Sequence, residues 1–199
     1  MKYMMYKTLK FIIKPFFMCI YNVKIDGIEN IPKKGSVILA GNHKGNIDAF
    51  LMLAGPKRVV HMMAKKELFN NKIKNWFFRS MGCISVDRSI HDDIAKNKAI
   101  NVLNNGNIIG IFPEGTVNKS KDIILPFKYG AVSFAKKTKS YIVPFSITGE
   151  YKLFRGKIRI TYGDAYKVKK SLEEENKILM NKVINLIKIG DEKNNKKEK

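Results

Sequence analysis

The chain has 199 residues, 45% of them apolar, which suits a single domain with a real core. It carries 38 Lys and Arg against 17 Asp and Glu, a formal charge of +21, so an anionic partner is expected, either nucleic acid or an acidic membrane. Its two cysteines, Cys19 and Cys83, exclude a disulfide scaffold and match no metal-binding spacing, as expected of thiols in a reducing compartment.

Met1 to Tyr21 reads as a helix. Lys7, Lys10 and Lys14 share one face, and Met5, Leu9, Ile12 and Phe16 share the opposite one, flanked by Ile13 and Ile20. Pro15 is expected to kink or break it. A basic amphipathic helix can lie in a membrane interface, or it can pack on its own domain. The stretch from Pro15 to Val23 is far short of the ~20 apolar residues of a transmembrane helix. The lysines and the lack of a small-residue cleavage site argue against a signal peptide.

Beyond it, strands are expected at Ser36–Ala40, Arg58–Ala64, Cys83–Val86, Asn107–Phe112, Tyr141–Thr148 and Lys157–Tyr162. Helices are expected at Ile47–Ala54, Lys65–Met81, His91–Leu103 and Tyr129–Lys139. Ser171 and Glu174 form a capping box that opens a last helix through Lys188, and residues 115–125 read as a loop. Strands alternating with helices imply an α/β fold: one domain with a mixed, mostly buried sheet flanked by helices. The expected divisions are an amphipathic membrane-associating segment at 1–22, the domain at 23–190 and a charged, disordered tail at 191–199.

Four motifs carry the chemistry. In Asn42-His43-Lys44-Gly45-Asn46-Ile47-Asp48, the histidine and aspartate are five residues apart. They can meet only if the backbone turns at Gly45 and Asn46 rather than continuing as helix. An imidazole held by a carboxylate keeps one tautomer and can take a proton from a hydroxyl. Taken alone, the pair also fits a histidine with a purely structural role. The other motifs are Gly82-Cys83-Ile84-Ser85-Val86-Asp87-Arg88, Phe112-Pro113-Glu114-Gly115-Thr116 and Ile142-Val143-Pro144-Phe145.

In this order the motifs resemble those of the glycerolipid acyltransferase family, specifically the 1-acylglycerol-3-phosphate acyltransferases, over residues 23–165. The resemblance implies that His43 is the base, that Asp48 orients it, and that Arg88, Glu114, Gly115, Thr116 and Lys65 shape the substrate site. Arg88 suits phosphate through its planar fork. Glu114 is expected to orient Arg88 or bond a glycerol hydroxyl. Lys65 would face the thioester oxyanion, and Gly115 would let the backbone approach the ligand.

The implied reaction moves a fatty acyl group from an acyl thioester to the sn-2 hydroxyl of 1-acylglycerol-3-phosphate, forming phosphatidate. The donor, acyl-CoA or acyl-acyl carrier protein, is a co-substrate, and neither a resident cofactor nor a metal is expected. The expected partners are membrane phospholipids and lysophosphatidate, with the protein peripheral or monotopic on the cytoplasmic face of the cell membrane.

Two positions depart from the family pattern: Gly45 where Ser is frequent, and Val117 where Arg is usual. The lost Arg removes a phosphate ligand that Lys119, Lys121 or Lys128 could replace, and it keeps another lysolipid acceptor open. A noncatalytic basic binder of membranes or nucleic acid is the remaining alternative. Scattered lysines and the absence of a nucleic-acid module argue against it.

Overall fold

The structure, a computed structural model, describes residues 4–154 and 156–196, without the side chains of Met4, Met5, Leu9 and Ile13. The expected apolar face of the first helix therefore lies partly outside the described residues.

The elements are α1 (Met4–Ile20), β1 (Lys24–Asp26), β2 (Val37–Gly41), α2 (Asp48–Ala54), β3 (Val60–Lys65), α3 (Lys72–Ser80), β4 (Ile84–Val86), α4 (Asp93–Asn104), β5 (Ile108–Ile111), α5 (Gly130–Thr138), β6 (Tyr141–Thr148), β7 (Arg159–Tyr162), β8 (Tyr166–Lys167) and α6 (Leu172–Asn195). The sheet order is β1-β7-β6-β2-β5-β3-β4, with β8 pairing with β6. Pairing is parallel except where β7 and β8 meet β6. The mixed, mostly buried sheet expected from the sequence is present. Every residue of β2 and β5 is buried, as helix-covered faces require.

Right-handed crossovers decide which helix covers which face. The β2–α2–β3 and β3–α3–β4 units advance in one direction across the sheet, so α2 and α3 lie on the same face. The β4–α4–β5 and β5–α5–β6 units return, so α4 and α5 lie on the other. The cores agree: Leu51 and Met52 of α2 pack with Leu39, Val60 and Phe145, whereas Ala99, Val132 and Val183 of α4, α5 and α6 pack with Ile38, Ile109 and Ile142. At the carboxyl ends of β2 and β5 the following helices therefore go to opposite faces. Such a switch point opens a crevice suited to a ligand.

Four local expectations are corrected. Of the kink or break expected at Pro15, the break does not occur: α1 runs through it as one helix. Lys65–Met81 is not one helix: a 3-10 turn at Lys66–Phe69 precedes α3, whose start is set by Asn71 accepting from the Ile73 N–H at 2.8 Å. The short strands β1 and β8 carry too few residues to show a periodic pattern. Finally, α6 continues to Asn195, into the stretch expected to be disordered. There Gly190 is buried, packed on Thr148, and Asn194 bonds Thr148, Lys157 and Arg159, so tertiary contacts hold a polar segment in helix. The capping box is formed, with Ser171 Oγ accepting from the Glu174 N–H at 3.2 Å.

Helix α1 lies over α2 with two different faces. Tyr6 is buried, its hydroxyl accepting from the Val60 N–H at 3.2 Å, and Phe17 stacks on Phe50. Lys10 donates to the Pro56 carbonyl, and burial pushes its ammonium down to about 8, with Lys14 adding to the effect. Lys10 and Lys14 thus turn toward the domain, whereas Phe11, Ile12 and Phe16 face solvent. No helix among the described residues is long and apolar enough to cross a membrane.

Candidate active site

His43 follows β2 and Asp48 opens α2, with the turn at Gly45 and Asn46 between them. His43 Nδ1 lies 2.8 Å from Asp48 Oδ2. The same oxygen accepts the N–H groups of Lys44 at 2.6 Å and Gly45 at 2.8 Å. Asp48 is fully buried in the first turn of α2, where the helix dipole favours a carboxylate. A carboxylate that accepts from Nδ1 leaves the proton there, so Nε2 presents its lone pair outward.

A residue outside the four motifs completes this arrangement. The Tyr151 hydroxyl donates to Asp48 Oδ1. Burial and the adjacent carboxylate hold this phenol well above its ordinary pKa, so it remains a donor. Tyr151 lies in the β6–β7 connection, and nothing in the local sequence links it to a position 103 residues earlier.

Tyr151 also accounts for Gly45. A Cβ built on Gly45 would come within 2.9 Å of Tyr151 Cε2, so the ring occupies the space a serine needs. We expect Gly45→Ser to push the ring off Asp48, lower stability by about 1–3 kcal/mol and reduce kcat. Thermal melts and steady-state kinetics check this, and an unchanged kcat and Tm would show that the contact is not tight.

The turn is anchored from two sides. The buried Asn42 amide pairs with the β6 backbone like a peptide, donating to the Ile147 carbonyl at 2.9 Å and accepting from the Ile147 N–H at 2.8 Å. Glu114 accepts the His43 N–H at 2.7 Å through Oε1 and the Leu125 N–H at 2.8 Å through Oε2. Burial pushes the Glu114 carboxyl up from its ordinary value, and these two bonds work against that. The expectation that Glu114 orients Arg88 is corrected: it braces the histidine turn against the loop after β5. The Asn118 N–H, donating to the His43 carbonyl at 2.8 Å, adds a second strap. Phe112 is half-buried against the core and stacks on the imidazole with ring centroids 4.1 Å apart.

Arg88, at the end of the β4 motif, donates through Nη1 to the Gly115 carbonyl at 2.6 Å. Gly115 is left-handed (φ 75°), and a Cβ there would meet Cε and Nζ of Lys128 at 3.0 Å. Lys128 therefore lies against Gly115, whose carbonyl Arg88 bonds. Thr116 and Lys65 are exposed, and neither lines the cavity at His43; Lys65 ends β3, in register with Val86. A cavity bordered by His43, Glu114, Asn118, Asp122 and Asp191, with Ile123, Ile147 and Ile187, opens at the His43 turn. No cluster of potential metal ligands occurs among the described residues.

Comparison with known proteins follows the same lines. A family model described as Acyltransferase matches residues 22–148. The 1-acyl-sn-glycerol-3-phosphate acyltransferase of Bacillus subtilis (strain 168) is 34% identical over 166 residues, 80% of this chain and 81% of the relative. The enzyme of that name from Borreliella burgdorferi is 38% identical over 125 residues, 62% of this chain but 50% of the relative. The crystal structure of PlsC, the 1-acyl-sn-glycerophosphate (LPA) acyltransferase from Thermotoga maritima, superposes with a TM-score of 0.74 at 27% identity, covering 90% of this chain and 78% of that one.

Proposed function

The chain belongs to the acyltransferase family, and from that premise we propose that it transfers a fatty acyl group from an acyl thioester to the sn-2 hydroxyl of 1-acylglycerol-3-phosphate, forming phosphatidate. The observation that carries this reading is the 2.8 Å contact between His43 Nδ1 and a buried Asp48, beside a cavity.

His43 Nε2 takes the proton of the acceptor hydroxyl as its oxygen attacks the thioester carbonyl. Asp48 stabilises the resulting imidazolium. As the tetrahedral intermediate collapses, the C–S bond breaks and the imidazolium returns its proton to the departing thiolate. No covalent acyl-enzyme is required. The donor is acyl-CoA or acyl-acyl carrier protein.

Arg88 binds the acceptor phosphate, with Lys128 beside it and Gly115 allowing close approach. Lys128 supports a phosphate-bearing acceptor despite Val117. We expect Arg88→Lys to raise the acceptor KM about tenfold with a smaller effect on kcat, because an ammonium cannot reproduce the bidentate fork. An unchanged acceptor KM would remove Arg88 from the phosphate site.

The reaction is assigned to the cytoplasmic membrane surface. Extracting an acyl chain into water costs ~0.8 kcal/mol per CH₂, and the exposed Phe11, Ile12 and Phe16 of α1 support membrane contact. The test is thiol release from acyl-CoA and from acyl-acyl carrier protein with detergent-dispersed lysophosphatidate and a panel of other lysolipids. Release with lysophosphatidate is the expected result. Release only with another lysolipid would move the acceptor, and none with any would end the reading.

A further inference from the structure

Helix α3 is unusual in having no buried residue. A nine-residue helix is too short to be stable on propensity alone, so a helix of this kind normally buries an apolar stripe. The stripe is present but uncovered: Ile73 is 75% and Trp76 61% exposed, and the neighbouring Phe77 and Phe78 are only half-buried.

This helix lies on the same face of the sheet as α1. The two crossovers place α2 and α3 together, α1 packs on α2, and Met81, which closes α3, lines one crevice with Tyr6, Lys10 and Lys14 of α1. Along α1, Phe11 is 83% exposed, with Ile12 and Phe16 beside it. At the far end of α1 the Phe154 N–H donates to the Ile20 carbonyl at 2.7 Å, which fixes the β6–β7 connection there. In that connection Leu153 is exposed and Phe154 is 76% exposed, at a φ of 59° that a bulky side chain rarely adopts. Exposed apolar side chains thus extend across one face, from α3 along α1 to Phe154.

The charge on this face is one-sided. The exposed cations are Lys7 of α1 and Lys72, Lys74 and Arg79 of α3, Lys10 and Lys14 being turned toward the domain; neither helix contains an Asp or Glu. Large apolar groups with an aromatic anchor and flanking cations suit an anionic bilayer, where Trp sits at head-group depth and Lys and Arg reach the phosphates. A second copy of the chain would bring the same cations against one another.

We propose that α3 is a second membrane-docking element, which enters an anionic lipid surface through Ile73 and Trp76 together with the outer face of α1 and the Leu153–Phe154 tip. This extends the assignment of α1 to the membrane made above. Two separated contacts fix an orientation, where a single helix would leave the molecule free to swivel about its axis. The orientation holds the C-terminal edge of the sheet, and hence His43, at a constant position over the lipid.

Trp76 is the only tryptophan in the chain, so its fluorescence reports on this one site. The experiment titrates the full-length protein with vesicles of phosphatidylcholine and phosphatidylglycerol, in parallel with sedimentation. The expected result is a blue shift of the emission on binding and strong quenching by bromine-labelled acyl chains. Ile73→Ser and Trp76→Ser should each weaken sedimentation with anionic vesicles by about tenfold. Thiol release with a short-chain acceptor dispersed as monomers should stay unchanged in both variants, which shows that they are folded. Sedimentation without a shift, or with both variants binding as wild type, overturns the role of α3 while leaving α1 as the membrane contact. Failure of the whole protein to bind vesicles overturns both. A dimer in solution that masks Trp76 would assign the face to self-association and likewise overturn the proposal.

Discussion

Replacing His43 by alanine is expected to lower acyl transfer by about 10²–10⁴-fold while the protein remains folded. The range follows from what a positioned general base contributes, and no second histidine can take over: His61 is buried with its Nδ1 against the Gly82 carbonyl, and His91 is exposed on the loop before α4. The substitution leaves the turn supported, since Asn42, Glu114 and the strap from Asn118 hold backbone rather than the imidazole. Donor KM should therefore change little and kcat carry the loss. Thiol release measured beside circular dichroism checks this. Full turnover in a folded mutant would show that another group lifts the proton.

Asp48→Asn should follow in the same direction. An amide at that position would place its NH₂ against some of the donors that now converge on the carboxylate: the Lys44 and Gly45 N–H groups, the imidazole and the Tyr151 hydroxyl. The histidine would lose its fixed tautomer along with the anion that stabilises the imidazolium.

The second large effect falls on Glu114, through stability as well as rate. Its two oxygens each accept one backbone N–H, from His43 at 2.7 Å and Leu125 at 2.8 Å, in a buried position. Glu114→Gln turns one acceptor into a donor that faces an N–H. Leaving a buried donor unsatisfied costs about 1–3 kcal/mol. A domain of this size loses roughly 2–4 °C of Tm per kcal/mol, so a fall of several degrees is expected. Because one of these bonds holds His43 itself, kcat should fall together with Tm, while donor KM is largely retained. A Gln variant that melts and turns over like wild type would show that the carboxylate is dispensable as a brace.

The contrast between these two residues shows how much of the site is legible in a linear chain. His43 and Asp48 are five residues apart with turn formers between them, so their pairing is a local matter that sequence can state. Glu114 is visible as part of a motif, but what its carboxylate touches depends on the β2–α2 turn and the loop after β5 meeting across the sheet. Tyr151 is the extreme case: it bonds Asp48 across 103 residues and lies in no motif. The significance of Gly45 was hidden for the same reason, since the ring that excludes a side chain there comes from the β6–β7 connection.

Elements followed the same rule. Strands β2, β5 and β6 are apolar runs that announce themselves, and the Ser171 capping box fixes a helix start from four consecutive residues. The continuation of α6 past Lys188 depends on Gly190 and Asn194 finding Thr148, Lys157 and Arg159, which polar composition alone cannot foretell. For α1 the periodicity was readable but the direction of its faces was not. Lys10 and Lys14 turn inward while Lys7 stays exposed, because a long alkyl stem can bury while its ammonium group finds a carbonyl, as Lys10 does at Pro56.

By itself, then, the sequence determined the α/β alternation, the reaction family and the histidine–aspartate pair, because each is written in residues close together in the chain. Only the tertiary structure decided the brace formed by Glu114, the Tyr151 hydroxyl on Asp48, the placement of Lys128 against Gly115, and the uncovered apolar face shared by α1 and α3. Those are contacts between distant segments, and their geometry is set by sheet order and crossover handedness rather than by any local preference of the chain.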